Sequence, residues 1–212
     1  LFVPDNASKE QPAPAIVTRH GYLNNREMQD INYVELARRG YVVFAQNAYS
    51  HGDSSVPEPG QGSEIQLGTG GMVDAVEYLS GLEFVDASRI GVTGHSMGGG
   101  FTNATAAYYS NLERDALKNG ASPEAAKALN KVASALIVGN YPMALAGEAD
   151  LSGASGYLCN LGIIAGKYDE FYYGMSGDRG YELLTSDTTN NLVAVQTGIR
   201  LDAPAEEGHF YK

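Results

Sequence analysis

The stretch Arg89-Ile90-Gly91-Val92-Thr93-Gly94-His95-Ser96-Met97-Gly98-Gly99-Gly100 decides how this chain folds. Its first five residues form a short run with β-branched apolar side chains, the pattern of a buried strand. From Met97 to about Ser110, three glycines and several small residues open a helical segment able to lie close against a sheet. Between the two, Gly94-His95-Ser96-Met97-Gly98 leaves room only for a sharp strand-to-helix turn. Glycine is expected at 94 and 98 because a side chain there would collide with the neighbouring strand and helix. Such a turn lifts Ser96 to the end of the sheet. A serine hydroxyl is a poor nucleophile and needs a base within hydrogen-bond reach and donors for the oxyanion it creates. The turn supplies the geometric half of that need. Gly-x-Ser-x-Gly by itself is common, and a glycine-rich turn without chemistry is the alternative. The strand before and the helix after favour Ser96 as a nucleophile.

Outward from this segment, short apolar runs alternate with helical patterns. Strands are expected at Ala15 to Thr18, Tyr41 to Ala45, Arg89 to Thr93, Ala133 to Val138 and Leu161 to Ala165. Met28, Ile31, Leu36 and Ala37 fall near helical spacing, with Arg38 and Arg39 in a last turn and Gly40 as its stop. Met72, Val76 and Leu79 line a second helical face before the turn Asp86-Ala87-Ser88. Ser122-Pro123 reads as an N-cap followed by proline at the first helical position, predicting a short helix from Glu124 to Lys131. The alternation predicts an α/β architecture, a mostly parallel sheet with helices on both faces. Asp53 to Ser63 is a polar loop, with no repeat and no linker elsewhere, so residues 1–212 are expected to form one domain. Leu1 to Pro4 reads as the tail of a strand paired to the first full strand, as if the fold were truncated at both ends.

Composition narrows the partners. The chain carries 14 Lys and Arg against 25 Asp and Glu, a formal net charge of -11, and has no basic run longer than Arg38-Arg39. Phosphate binding needs clustered cations, so nucleic acid is not an expected partner. No apolar run approaches the roughly 18 to 20 residues that span a bilayer, and Leu1-Phe2-Val3-Pro4 lacks the pattern of a signal peptide. The lone cysteine, Cys159, has no internal partner for a disulfide. Gly68, Gly70 and Gly71 are not followed by the Lys-Ser or Lys-Thr of a phosphate loop, and no His, Cys or carboxylate stands at metal spacing from His51. No cofactor and no metal are expected, and His51 reads as a loop residue.

The run Val85-Asp86-Ala87-Ser88-Arg89-Ile90-Gly91-Val92-Thr93-Gly94-His95-Ser96-Met97-Gly98-Gly99 resembles the nucleophile segment of α/β-hydrolases related to dienelactone hydrolase and the prolyl oligopeptidase catalytic domain. The likeness extends to His20-Gly21, to Gly40-Tyr41-Val42-Val43 and to His51-Gly52-Asp53-Ser54, and covers most of residues 12 to 170. Gln46-Asn47 departs from it, since many relatives carry Asp there. The resemblance implies an α/β-hydrolase fold and a serine hydrolase. It places the oxyanion donors at the backbone N–H groups of Tyr22 and Met97. For Met97 the physics agrees, because a helix N-terminus has free N–H groups and a favourable dipole.

The fold's chain order is serine, then acid, then histidine. Lys167-Tyr168-Asp169-Glu170 follows the strand ending at Ala165, which makes Asp169 the expected acid and Glu170 the runner-up. Of the four histidines, His20, His51 and His95 precede Asp169, so His209 is the base that fits the order. Its setting Gly208-His209-Phe210 resembles that of the family's histidine, and a base beyond Lys212 is the alternative. Phe171, Tyr172 and Tyr173 could line an acyl or aromatic pocket, or simply pack. The expected reaction is acyl transfer to water on a small ester, with a short peptide as second substrate class. A non-catalytic binding or sensory domain keeping the fold is the rival reading. Some relatives of this kind are extracellular bacterial domains joined to membrane segments, which the resemblance extends to this chain as a possibility of placement at the cell surface.

Overall fold

The computed structural model describes residues 1–55, 58, 64–140, 157–166 and 192–196. Six strands form one sheet: β1 (Ala13–Arg19), β2 (Val42–Gln46), β3 (Val85–His95), β4 (Val132–Val138), β5 (Asn160–Gly166) and β6 (Leu192–Gln196). They lie in the order β2-β1-β3-β4-β5-β6, and every neighbouring pair is parallel. Parallel neighbours need crossover connections, and helices supply them. A short 3-10 turn (Arg26–Gln29) and α1 (Asp30–Arg38) link β1 to β2, while α2 (Glu64–Gly68) and α3 (Met72–Ser80) lead into β3. The helix α4 (Met97–Lys118) then joins β3 to α5 (Pro123–Lys127) and β4.

Period-two alternation sorts the strand side chains between two layers. Ala15 and Val17 of β1, Ile90 and Val92 of β3 and Ala135 and Ile137 of β4 are buried together with Met72, Val76, Leu79, Ala106 and Tyr109. The second layer is therefore α3 and α4, packed on each other and on the central strands. The opposite face carries Ile16, Thr18, Thr93 and Leu136, which with Tyr33 and Leu36 of α1 line a cleft of about 930 Å³. Helices thus lie on both faces, the α/β-hydrolase architecture anticipated from the sequence. Among the described residues no helix is long and apolar enough to cross a membrane.

Four details depart from the sequence-based reading. Leu1 to Pro4 does not pair with the first full strand; Phe2 bridges Val43 of β2 antiparallel, with N–H···O distances of 2.8 and 2.9 Å. β2 is one edge of the sheet, so its outer backbone groups are left for Phe2 to pair with. β3 begins at Val85, because Asp86-Ala87-Ser88 makes its turn inside the strand. The Asp86 carboxylate accepts from Ser88 N at 3.0 Å, and the β1 register slips across this bulge between Ala13 and Ala15. α4 continues past Ser110 to Lys118, where Gly120 at φ 85° closes it: Ala121 N donates to Ala116 O at 2.9 Å and Gly120 N to Leu117 O at 3.1 Å. α5 is shorter than Glu124 to Lys131. Ser122 caps it as expected, accepting from Ala125 N at 3.2 Å, but Leu129 N and Asn130 N bond to carbonyls three residues back and tighten the turn into β4.

Candidate active site

In a parallel sheet, crossovers that leave on opposite sides of a strand open a crevice at its carboxyl end. Here the chain runs from β1 outward to β2 and then returns to the other side of β1 as β3, so the reversal lies between β1 and β3. The residues delivered to that crevice are His20-Gly21-Tyr22 after β1 and Ser96 after β3. Ser96 has φ 55° and ψ -119°, a conformation that side-chain-bearing residues rarely adopt and that costs on the order of 1–3 kcal/mol.

Three hydrogen bonds hold Ser96 there. Its N–H donates to Val138 O at 2.9 Å, and its carbonyl accepts from Gly100 N at 3.1 Å and from Asn140 Nδ2 at 2.6 Å. The flanking glycines are required by close approach. A β-carbon on Gly94 would come within 2.4 Å of the Gly98 carbonyl oxygen, and one on Gly98 within 2.4 Å of the Arg19 oxygen. The Gly100–Ser96 bond is the first rung of α4, so the amides of Met97, Gly98 and Gly99 precede the helix ladder. Met97 N–H thus belongs to the positive end of a 22-residue helix.

The segment after β1 packs directly on this turn: a β-carbon on Gly21 would lie 3.3 Å from Ser96 Cβ. Two histidines fasten that segment to residues 48–51. His20 is fully buried; its Nε2 accepts from Ala48 N at 2.9 Å and its Nδ1 lies 2.7 Å from the Gly21 carbonyl. Since an amide can only donate and a carbonyl only accept, His20 is neutral with its proton on Nδ1. Burial is the main force lowering its pKa, with Arg19 and His51 adding to it against the Gly21 bond. His51 repeats the arrangement, accepting from Leu23 N at 3.3 Å and donating from Nδ1 to Tyr49 O at 2.8 Å. Tyr22 stands between these two anchor points and is 66% exposed, its ring 5.8 Å from that of His51.

The structure therefore brings Ser96, Met97 and Tyr22 to one crevice. Asp169, Glu170, His209 and the Phe171-Tyr172-Tyr173 cluster lie outside the described residues. His51 is a loop residue, as its lack of metal partners suggested, and its task is to tie two loops together. Asn140 escaped the sequence reading; the signal was a lone amide just after a strand, in Val138-Gly139-Asn140, too short to distinguish from any turn. Cys159 is buried, which pushes its thiol up to about 11 and leaves it protonated and inert near neutral pH.

A parallel sheet with helices on both faces and a strained serine at its reversal point defines an α/β-hydrolase fold. The chain belongs to the dienelactone hydrolase family, whose model matches residues 1–155. It is 30% identical over 103 residues to the YcjY protein of Escherichia coli K12, a match covering 48% of this chain and 33% of that one. The chain thus spans about a third of the length of that curated relative. Among solved structures it is similar to ferulic acid-bound Est1E of Butyrivibrio proteoclasticus, with TM-score 0.59 and 17% identity over 92% of this chain and 83% of that one. It is similar too to the esterase Pf2001 of Pyrococcus furiosus, with TM-score 0.60 and 16% identity over 92% and 77% of the two chains.

Proposed function

We propose that residues 1–212 form one serine hydrolase domain that cleaves a small ester through an acyl-enzyme. Ser96 Oγ attacks the ester carbonyl carbon and gives its proton to the imidazole of His209. The backbone N–H groups of Tyr22 and Met97 receive the charge that develops on the carbonyl oxygen. Asp169 holds the imidazole in the right tautomer and stabilises its protonated form. Collapse breaks the ester C–O bond, the alcohol leaves with the proton from His209, and water repeats the sequence to release the acid. The observation that carries this reading is the backbone of Ser96, because a strained φ and ψ retained against its cost is characteristic of a serine displayed for chemistry. The neutral helix-end and loop amides around it supply donors without a metal.

Turnover of p-nitrophenyl acetate and of a p-nitroanilide peptide tests the proposal. Ester cleavage should exceed amide cleavage, and His209→Ala should lower kcat by several orders of magnitude with folding intact. A His209→Ala variant as active as the parent would remove His209 from the mechanism. Faster cleavage of the anilide would move the substrate class to peptides.

A further inference from the structure

Arg19 is a cation with no counter-charge among the described residues. Its side chain is wholly buried at the end of β1, and none of its three guanidinium nitrogens has a hydrogen-bond partner among the described residues. Burial lowers its pKa only to about 10, so it stays charged near neutral pH. An isolated charge in such a place is costly unless something pairs with it. The Phe101 ring, its centroid 5.4 Å from Cζ, offsets part of the cost from one face of the fork. A π-face does not satisfy the N–H groups in the guanidinium plane.

Gln46 and Tyr49 lie near Arg19, and neither brings a carboxylate. On one side the turn before α3 roofs the guanidinium tightly, since a β-carbon on Gly70 would come within 2.7 Å of Nη2. The point a β-carbon would occupy on Gly71 has Gln46 Nε2 at 3.7 Å, the Tyr49 hydroxyl at 3.7 Å and Arg19 Nη2 at 3.8 Å as its nearest neighbours. Three side-chain groups able to donate thus converge on one point beside Gly71 without crowding it. Gly71 is also the N-cap of the nine-residue α3, and no side chain caps it. The first rung of that helix runs from Ala75 N to Gly71 O, leaving the amides of Val73 and Asp74 ahead of the ladder at the positive end of the dipole. The acid in that first turn, Asp74, is exposed and accepts from Gln66 Nε2 at 3.2 Å.

We propose that Arg19, Gln46, Tyr49 and the N-terminus of α3 bind a small monovalent anion, a halide or the carboxylate of a small organic acid, where these donors converge beside Gly71. The anion supplies the missing charge and accepts from the Arg19 fork, the Gln46 amide and the Tyr49 hydroxyl. It binds the folded chain alone, because the unfolded chain has no such gathering of donors. The proposal is independent of the role given to Ser96.

Thermal unfolding at pH 7.5 and fixed ionic strength tests it, with a bulky buffer sulfonate as reference anion and chloride, bromide, acetate or propionate substituted for it stepwise. The protein should gain a saturable rise in Tm of about 5 °C at saturation. A rise with chloride and bromide assigns the site to free halide, and a rise with acetate and propionate alone assigns it to a carboxylate. Arg19→Met, which keeps the length of the side chain without the charge, should abolish the response. Gln46→Glu places a carboxylate beside Arg19 from within, so it should raise Tm in the reference salt and also abolish the response. Equal Tm values in all five salts, or a full response persisting in Gln46→Glu, would overturn the site.

Discussion

Both backbone groups of Ser96 are held by the end of β4, the N–H by Val138 and the carbonyl by Asn140, and this is what keeps an unfavourable rotation about the serine in place. Asn140→Ala removes one of the two donors to that carbonyl, with Gly100 remaining, so stability should fall by only about 1 kcal/mol. Catalysis should fall further, because a small displacement of the hydroxyl costs rate steeply. Chemical denaturation beside kcat measures the two losses, and a stability loss without any change in kcat would mean that Asn140 does not position Ser96. Gly98→Ala is a harsher change. Its methyl group would meet the Arg19 and His20 carbonyl oxygens at 2.4 and 2.7 Å, both backbone atoms that cannot swing aside. A destabilisation of about 1–3 kcal/mol is expected, read from the denaturation midpoint. For the proposed acid, Asp169→Asn should lower ester turnover by orders of magnitude and Glu170→Gln by much less. The opposite ranking would transfer the role to Glu170.

At the scale of elements, the crevice is built by two loops that two imidazoles sew together. His20 can accept from Ala48 only while neutral, and its pKa in the folded chain lies below the ordinary 6.5. The unfolded chain therefore binds the proton first as pH falls, so the stability that neutral His20 contributes is complete above about 6.5 and declines below it. Stability curves at pH 7.5 and pH 5 should separate for the parent chain and converge for His20→Gln, whose amide oxygen accepts from Ala48 without titrating. An unchanged pH dependence in that variant would exclude His20 as the source. His51→Phe should loosen Leu23 and lower kcat more than it alters KM, while His51→Gln should restore kcat.

The elements were also where the sequence was most readable. The strand, turn and helix around Ser96 could be placed because glycine spacing, β-branching and small residues agree over Arg89 to Gly100. His20 and His51 could be seen as residues but not as a pair, since they are brought within 5.2 Å of each other, ring to ring, only when β1 and β2 lie side by side. The antiparallel bridge from Phe2 to Val43 was misassigned for the same reason: the strand that will be an edge is a property of sheet order, which no local pattern carries.

For the whole molecule, the sheet order places the only reversal among the described strands between β1 and β3, and the serine, the His20-Gly21 turn and the start of a 22-residue helix all meet there. The proposed serine hydrolase needs one hydroxyl activated among many. The central claim is that Ser96 is that hydroxyl. Intact-mass analysis after incubation with a fluorophosphonate probe measures it directly. One adduct per chain is predicted, mapping by peptide digestion to Ser96 and vanishing in Ser96→Ala. A folded protein that takes up no probe, or a Ser96→Ala variant labelled as fully as its parent, would contradict the account.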